Sequence, residues 1–373
     1  MKRSLLRTIL MAGLAFGCSS AVAAPLKVYI LVGQSNMEGH AAVRTFDHIG
    51  MDPKTAPLLE AMRNADGTAR VCEKVWVSYL TGKGTEKQGQ LTTGYGAQGR
   101  EPKIGPEFTF GITMQRLRDE PMLIIKTAWG GKSLHTDFRP PSGVKDDQET
   151  GAYYKLMVDH VAKVLKDIKQ VYPDYDAAQG YALAGFVWFQ GWNDMVAGGV
   201  YPDRGKPGGY DLYSELLAHF IRDVRKDLSA PKMPFVIGVM GTGGVLDLEN
   251  PTRYTPIHNA FREAMAAPAE LPEFKGNVTA VLTEKCWDPQ LGELADRWGK
   301  VKTKSRELSK DKALTKEART AALDAYKAEL YTVEEMAIRE IGISNAGFHY
   351  LGSSKVMAQI GQAFAEAVVR LGQ

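Results

Sequence analysis

Five short runs of aliphatic and β-branched residues punctuate the chain, at residues 26–32, 122–127, 184–189, 234–240 and 278–283. They are apolar at successive positions rather than alternating, which predicts strands buried on both faces. Helical spacing lies between them. Residues 153–171 place Leu156, Val161, Val164, Leu165 and Ile168 on one face, and residues 213–228 form a second amphipathic stretch. Strands alternating with helices predict an α/β fold, a parallel sheet covered on both sides. In such sheets functional groups collect where strands end and the chain turns into loops and helices.

The pattern changes near the C-terminus. Residues 291–341 are dense in Lys, Arg, Glu and Ala, without a strand-like run. They predict a charged helical insertion with solvated faces, or alternatively a lid over the site. The last stretch opens with Ser353-Ser354 and repeats Val356, Ile360, Phe364 and Val368 every four residues, the mark of a docked helix.

At the other end, Met1-Lys2-Arg3 precedes an apolar stretch through Phe16 and then small residues up to Ala24. That order predicts a signal peptide over residues 1–24, cut after Ala23 or Ala24, and a secreted or periplasmic protein. Cys18 as a lipid anchor is the lesser alternative, because Ala15-Phe16-Gly17 is a poor lipobox. No other stretch approaches the ~20 apolar residues of a membrane span, so no transmembrane segment is expected in residues 25–373. Beyond the leader, Cys72 and Cys286 are expected either to pair or to remain two separate buried thiols.

Composition narrows the partners. Forty-six Lys and Arg against forty-three Asp and Glu leave a net charge of +3, which argues against nucleic acid. The seven histidines (40, 48, 135, 160, 219, 258 and 349) show no close paired spacing, and no phosphate-cradling or dinucleotide-binding glycine motif occurs. No metal and no cofactor are expected.

Four motifs sit at predicted strand ends or loops. Gly33-Gln34-Ser35-Asn36-Met37 follows the first strand, where a serine at a strand-to-helix turn can project its hydroxyl beside backbone N–H groups. A plain helix cap is the competing role for Ser35. Trp129-Gly130-Gly131-Lys132 follows the second strand, and paired glycines expose N–H groups to a ligand. Gln190-Gly191-Trp192-Asn193-Asp194 follows the third, with an amide suited to donate to a developing oxyanion. Phe348-His349-Tyr350 precedes the C-terminal helix and supplies a candidate general base. Gly105-Pro106-Glu107 is expected only to open a helix.

Gly33-Gln34-Ser35-Asn36-Met37 resembles the nucleophile block of SGNH hydrolases of the sialate O-acetylesterase and acetylxylan esterase-like branch. Gly130-Gly131, Gly191-Trp192-Asn193-Asp194 and His349 follow in that superfamily's order. The resemblance implies a three-layer α/β/α sandwich with a flavodoxin-like parallel sheet, spanning residues 25–373. It implies a serine esterase acting on O-acetylated carbohydrate, from sialic acid to xylan or other polysaccharides. Ser35 would be the nucleophile and His349 the base. Ser35, Gly130 or Gly131, and Asn193 would form the oxyanion hole.

The chain departs from the family pattern at Phe189, where the His-Gln-Gly variant of the third block carries His, and in two further places. Trp192 replaces a Glu proposed elsewhere as the triad acid, and Ala346 stands where Asp usually precedes the histidine by three. Asp194 is the first candidate for the missing acid and Asp288 the second; the alternative is a dyad steadied by Asn345 or a backbone carbonyl. Gln34, Trp129, Gln190, Trp192 and Tyr350 are candidate sugar contacts, with core packing the alternative for the aromatic ones. The principal rival to an esterase is a carbohydrate-binding protein on the same fold without activity; a lipid esterase ranks last.

Overall fold

The computed structural model describes residues 24–145 and 147–372. The expected leader therefore lies outside the described residues. Seven strands form one sheet: β1 (Leu26–Gly33), β2 (Cys72–Leu80), β3 (Glu86–Leu91), β4 (Met122–Ala128), β5 (Tyr181–Phe189), β6 (Phe235–Val239) and β7 (Val278–Leu282). Their order is β3-β2-β4-β1-β5-β6-β7. All neighbours are parallel except β2 and β3, an antiparallel hairpin at one edge.

The predicted strands are present, and the hairpin is added to them. Glu86-Lys87-Gln88 in β3 is polar and exposed, as suits an edge strand that buries little, and its composition hides it from a hydrophobic reading. The parallel core runs outward in both directions from β1, the flavodoxin-like arrangement. A crevice then opens at the carboxyl ends of β1 and β5.

Strand β1 shows why both faces of the sheet are covered. Val28, Ile30 and Val32 point into one core, while Tyr29 and Leu31 point into another. On the first side pack α3 (Ala152–Lys166), α5 (Asp211–Asp227) and α6 (Thr255–Ala266), through residues such as Val161, Tyr213 and Phe261. On the second lie α2 (Pro106–Arg118) and α10 (Ser354–Leu371), through Phe108, Phe110, Val356 and Phe364. Helices α2 and α10 approach so closely that a Cβ on Gly361 would lie 2.2 Å from the Pro106 carbonyl oxygen. The three-layer α/β/α sandwich is thus complete.

The charged region is three helices: α7 (Pro289–Lys310), α8 (Lys316–Leu330) and α9 (Val333–Gly342). No residue of α8 is buried. Leu291, Leu294, Val301 and Tyr331 form a small core of their own that docks on Leu351. Cys72 and Cys286 are free thiols, so the pairing alternative does not hold. Among the described residues no helix is long and apolar enough to cross a membrane.

Candidate active site

Ser35 opens the four-residue helix α1 (Ser35–Glu38) immediately beyond β1. First-turn N–H groups have no intrahelical acceptor, so the turn offers donors beside the serine hydroxyl. Gly33 is required by crowding at the crevice: a Cβ there would lie 2.1 Å from the Phe189 carbonyl oxygen of β5. Ser35 is 7% exposed. Gly130 lies beside it, with the position of a Cβ 3.7 Å from Ser35 Cβ, and its backbone N–H is directed at the Glu38 carboxylate. Burial raises the Glu38 pKa against the opposing pull of Lys126 and that N–H.

Helix α4 (Trp192–Val196) carries Asn193. Asn193 Oδ1 accepts from Gln34 Nε2 at 3.0 Å, which turns the amide so that its NH₂ is the free end. Gln34 Oε1 in turn accepts from the backbone N–H groups of Gly191 and Asn193 and from Gln190 Nε2, at 3.1, 3.2 and 3.2 Å. Gln34 is buried and binds the Ser35 turn to the Asn193 turn. It is therefore a strut and not the sugar contact expected from sequence.

The same correction applies to three others. Gln190 is buried, donating to the Lys132 carbonyl and to Asp194. Trp129 is buried against Phe138 and Tyr153, its ring N–H reaching the Thr81 carbonyl. Tyr350 is fully buried, its hydroxyl bonded to Thr283 and accepting from the Gly241 N–H. Each belongs to the core, because an amphipathic side chain whose polar end is satisfied inside has nothing to offer a ligand. Trp192 alone of the five faces open space, on a cleft of about 850 Å³ that it shares with Phe348, Trp287 and the first turns of α7.

His349 lies in a tight turn (Gly347–Gly352) that folds back on itself. Tyr350 and Leu351 adopt positive φ, 50° and 62°, a conformation costing non-glycine residues roughly 1–3 kcal/mol each. The Leu351 carbonyl accepts from the N–H groups of both Ser344 and Asn345, and this closure sets Asn345 beside His349. Asn345 Oδ1 lies 3.1 Å from His349 Nδ1. The turn of His349 is tied to α1 by Asn36, whose Nδ2 donates to the Phe348 carbonyl at 3.1 Å. Among the described residues no direct hydrogen bond joins Ser35 and His349; such contacts often tighten only when substrate is bound.

Neither candidate acid reaches His349. Asp194 is fully buried and accepts from the N–H groups of Leu134 and His135, from Gln190 Nε2 and from the Tyr201 hydroxyl, and meets His135 Nδ1 at 2.9 Å. Asp288 caps α7 through the Leu291 N–H and pairs with Lys355 at 2.9 Å. The imidazole is instead held by a neutral amide.

Sequence reasoning missed His40. Its ring lies parallel to that of His349, with centroids 3.9 Å apart and planes 1° from each other. Asn345 Nδ2 approaches His40 Nδ1 at 3.4 Å, so one amide spans both rings. Burial lowers the pKa of His349 to about 4, with the Lys103 charge adding to it. His40 is lowered to about 3 by burial, then by His349 and the nearby lysines. Both rings are neutral near pH 7. His40's place directly after Gly39, five residues beyond the serine, is the signal that could have pointed to it.

Below the site, Lys126 of β4 and Glu107 of α2 form a buried ion pair at 2.7 Å, both 0% exposed. Lys126 also donates to the carbonyls of Glu38 and Tyr95, pinning the turn that follows Ser35. Glu107 is thus more than a helix opener. Among the described residues no cluster of His, Cys, Asp or Glu side chains could hold a metal ion.

The family model described as "carbohydrate esterase, sialic acid-specific acetylesterase" matches residues 25–286, well over half of the chain. The chain belongs to that family. It is a carbohydrate acetylesterase, an enzyme acting on ester bonds. The match contains Ser35, Gly130, Gly131 and Asn193 and ends before α7, so that His349 and Asn345 lie beyond it.

Solved structures similar to this acetylesterase include a protein from Arabidopsis thaliana, 17% identical, covering 69% of this chain and 86% of that one with a TM-score of 0.40. XAC1771, a carbohydrate acetylesterase from Xanthomonas citri, is 14% identical over 70% of this chain and 50% of its own, with a TM-score of 0.40. NanS is 13% identical over 70% and 78%, with a TM-score of 0.38. None of the curated proteins compared with the chain matches it.

Proposed function

We propose that the enzyme removes O-acetyl groups from carbohydrate through an acetyl-Ser35 intermediate, with His349 as the base. The observation that supports this reading is the set of contacts linking the turns of Ser35, Gly130, Asn193 and His349, with the acceptor end of Asn193 and the Nδ1 of His349 each already committed. Asn345 Oδ1 accepts the Nδ1 proton and leaves Nε2 as the basic nitrogen. Nε2 takes the Ser35 hydroxyl proton as Oγ bonds to the acetyl carbon. The oxyanion is met by the Ser35 N–H, the Asn193 Nδ2 and, since Glu38 engages the Gly130 N–H, the Gly131 N–H. Collapse returns the proton to the sugar oxygen as the ester bond breaks. Water, deprotonated by the same nitrogen, then releases acetate and restores Ser35.

The substrates in view are acetylated sugars, sialic acid, xylan and other polysaccharides among them, and an exported location suits polymers that cannot enter a cell. The test is acetate release from a panel of acetylated sugars by the mature protein and by Ser35→Ala. Release by the parent and its loss in the variant are expected. Sugar binding with no release from any member would instead favour a binding protein without activity.

A further inference from the structure

Glu38 closes the short helix that Ser35 opens, and its backbone is held from two sides. Its carbonyl accepts from Lys126 Nζ at 2.9 Å. Behind it Gly39 takes φ 91°, where a Cβ would lie 2.3 Å from the Gly105 nitrogen. The Glu38 side chain is 14% exposed and turns inward between two loops. A Cβ on Gly130 would lie 3.3 Å from its Oε2, and one on Gly82 3.5 Å from its Oε1. The Gly130 N–H and the Tyr79 hydroxyl face the carboxylate.

A buried carboxylate needs a counter-charge or donors. Lys126 is paired with Glu107 at 2.7 Å instead. Among the described residues the one basic side chain within 4.0 Å of the Glu38 carboxylate is His40, through Nε2 and Oε2. That ring is neutral near pH 7, so Glu38 faces neutral donors rather than a cation.

The direction of those donors is set by Asn345. The Ala346 N–H donates to Asn345 Oδ1 at 2.7 Å, which fixes the orientation of the amide. Oδ1 then accepts from His349 Nδ1 at 3.1 Å, and the opposite end, Nδ2, meets a lone pair on His40 Nδ1 at 3.4 Å. A neutral His40 therefore carries its proton on Nε2, the atom that faces Glu38. At 4.0 Å this contact aligns dipole and charge without a hydrogen bond. Donors from the His349 side and from the glycine turn thus converge on one carboxylate. With the Gly130 N–H taken, the free N–H of the pair is that of Gly131, whose φ of 77° suits glycine alone.

We propose that Glu38 is a positioning residue that holds the Gly130 turn and the His40–His349 stack in register, so that the Gly131 N–H and the His349 imidazole reach Ser35 together. The assignment rests on the esterase reading above and adds to it a residue that acts through its neighbours.

Glu38→Ala removes the acceptor from both sides, and Glu38→Gln leaves one side-chain oxygen for two donors. With an acetylated sugar, kcat is expected to fall about 100-fold in Glu38→Ala and about tenfold in Glu38→Gln, while KM stays within about twofold. A trifluoromethyl ketone reports the oxyanion site directly: Ser35 Oγ adds to its carbonyl carbon, His349 takes the serine proton, and the carbonyl oxygen becomes the oxyanion. Its Ki rises in step with the loss of kcat, which a role confined to stability would not produce. Glu38→Gln combined with His40→Ala costs less than the product of the two separate losses, because both cut one chain of contacts. Losses that multiply, or a change in KM alone, overturn the proposal.

The Gly130 amide reports the contact without catalysis. Carbonyl-labelled tryptophan with nitrogen-labelled glycine marks two peptide bonds in this chain, Trp129–Gly130 and Trp298–Gly299, the second a reference within α7. The Gly130 signal is expected to move with pH as the Glu38 carboxyl ionises, with its midpoint raised by burial, and to lose that movement in Glu38→Gln. Lys126 of β4, Tyr79 of β2, Lys103 just before α2 and His40 also face Glu38 and remain in the variant. A movement that survives in Glu38→Gln, or a Gly130 signal that does not titrate in the parent, overturns the proposal even where acetate is released. The titration present in a parent that releases no acetate leaves the Glu38 contact standing and removes the esterase reading alone.

Discussion

His40 lies flat against His349, and Asn345 reaches the Nδ1 atoms of both. In the proposed mechanism His349 serves Ser35, the leaving oxygen and water in turn, and a base with that task gains from a surface that fixes its plane. The stack also removes water from one face of the imidazole, and burial is the leading cause of its low pKa.

An acid limb of the pH–rate profile is expected near pH 4. In the proposed mechanism the imidazole must be neutral to accept the serine proton, so activity holds above the pKa and falls as pH drops through about 4. His40→Ala uncovers the ring, lessens its desolvation and moves the limb up toward the ordinary histidine value. kcat is expected to fall roughly 10- to 100-fold through misplacement of the base, with KM little changed. His40→Phe restores the flat surface and most of the rate. A profile unmoved in His40→Ala would show that His40 has no part in positioning His349.

Asn345→Ala removes the acceptor at Nδ1 and is expected to lower kcat about 100-fold, with acetate release as the assay. Asn345→Asp replaces a neutral acceptor with a charge that favours the imidazolium, and so moves the acid limb upward. Asp194→Asn acts differently, because it weakens hydrogen bonds to buried donors around His135, Tyr201 and Gln190. Its effect is expected in thermal unfolding, at about 1–3 kcal/mol. A loss of kcat in Asp194→Asn larger than in Asn345→Ala, with stability intact, would return the role of acid to Asp194.

The Lys126 and Glu107 pair gives a prediction about stability. Glu107→Gln leaves the Lys126 ammonium buried without its counter-charge, so a loss of about 3–5 kcal/mol is expected in chemical denaturation. Lys126→Met combined with Glu107→Leu is expected to recover part of that loss. It does not recover the hydrogen bond to the Glu38 carbonyl, so activity stays below the parent's although the fold returns. Full activity in the double variant would show that the pair serves stability alone.

Strands β1, β4 and β6 were legible because each is buried on both faces, and continuous apolar runs satisfy that environment. The edge hairpin escaped because β3 meets solvent and carries the charges of its surroundings. Lys126 in the middle of an otherwise apolar strand was a visible anomaly, but its partner Glu107 lies 19 positions earlier and is joined to it only by packing.

Local sequence therefore determined the turn chemistry: Gly33 where β1 and β5 crowd together, Ser35 at the opening of a helix, paired glycines after β4. It could not determine which groups meet across turns distant in the chain. Asp194 looked available to His349 because it adjoins Asn193, yet the peptide N–H groups after Gly131 and the His135 ring occupy it. Gln34, Gln190, Trp129 and Tyr350 looked like ligand contacts because they adjoin the motifs, yet side chains beside a site point inward as readily as outward. The stack of His40 on His349 joins residues 309 positions apart. Such a contact depends on how the sheet, α1 and the final loop close around one crevice, and only the folded chain decides it.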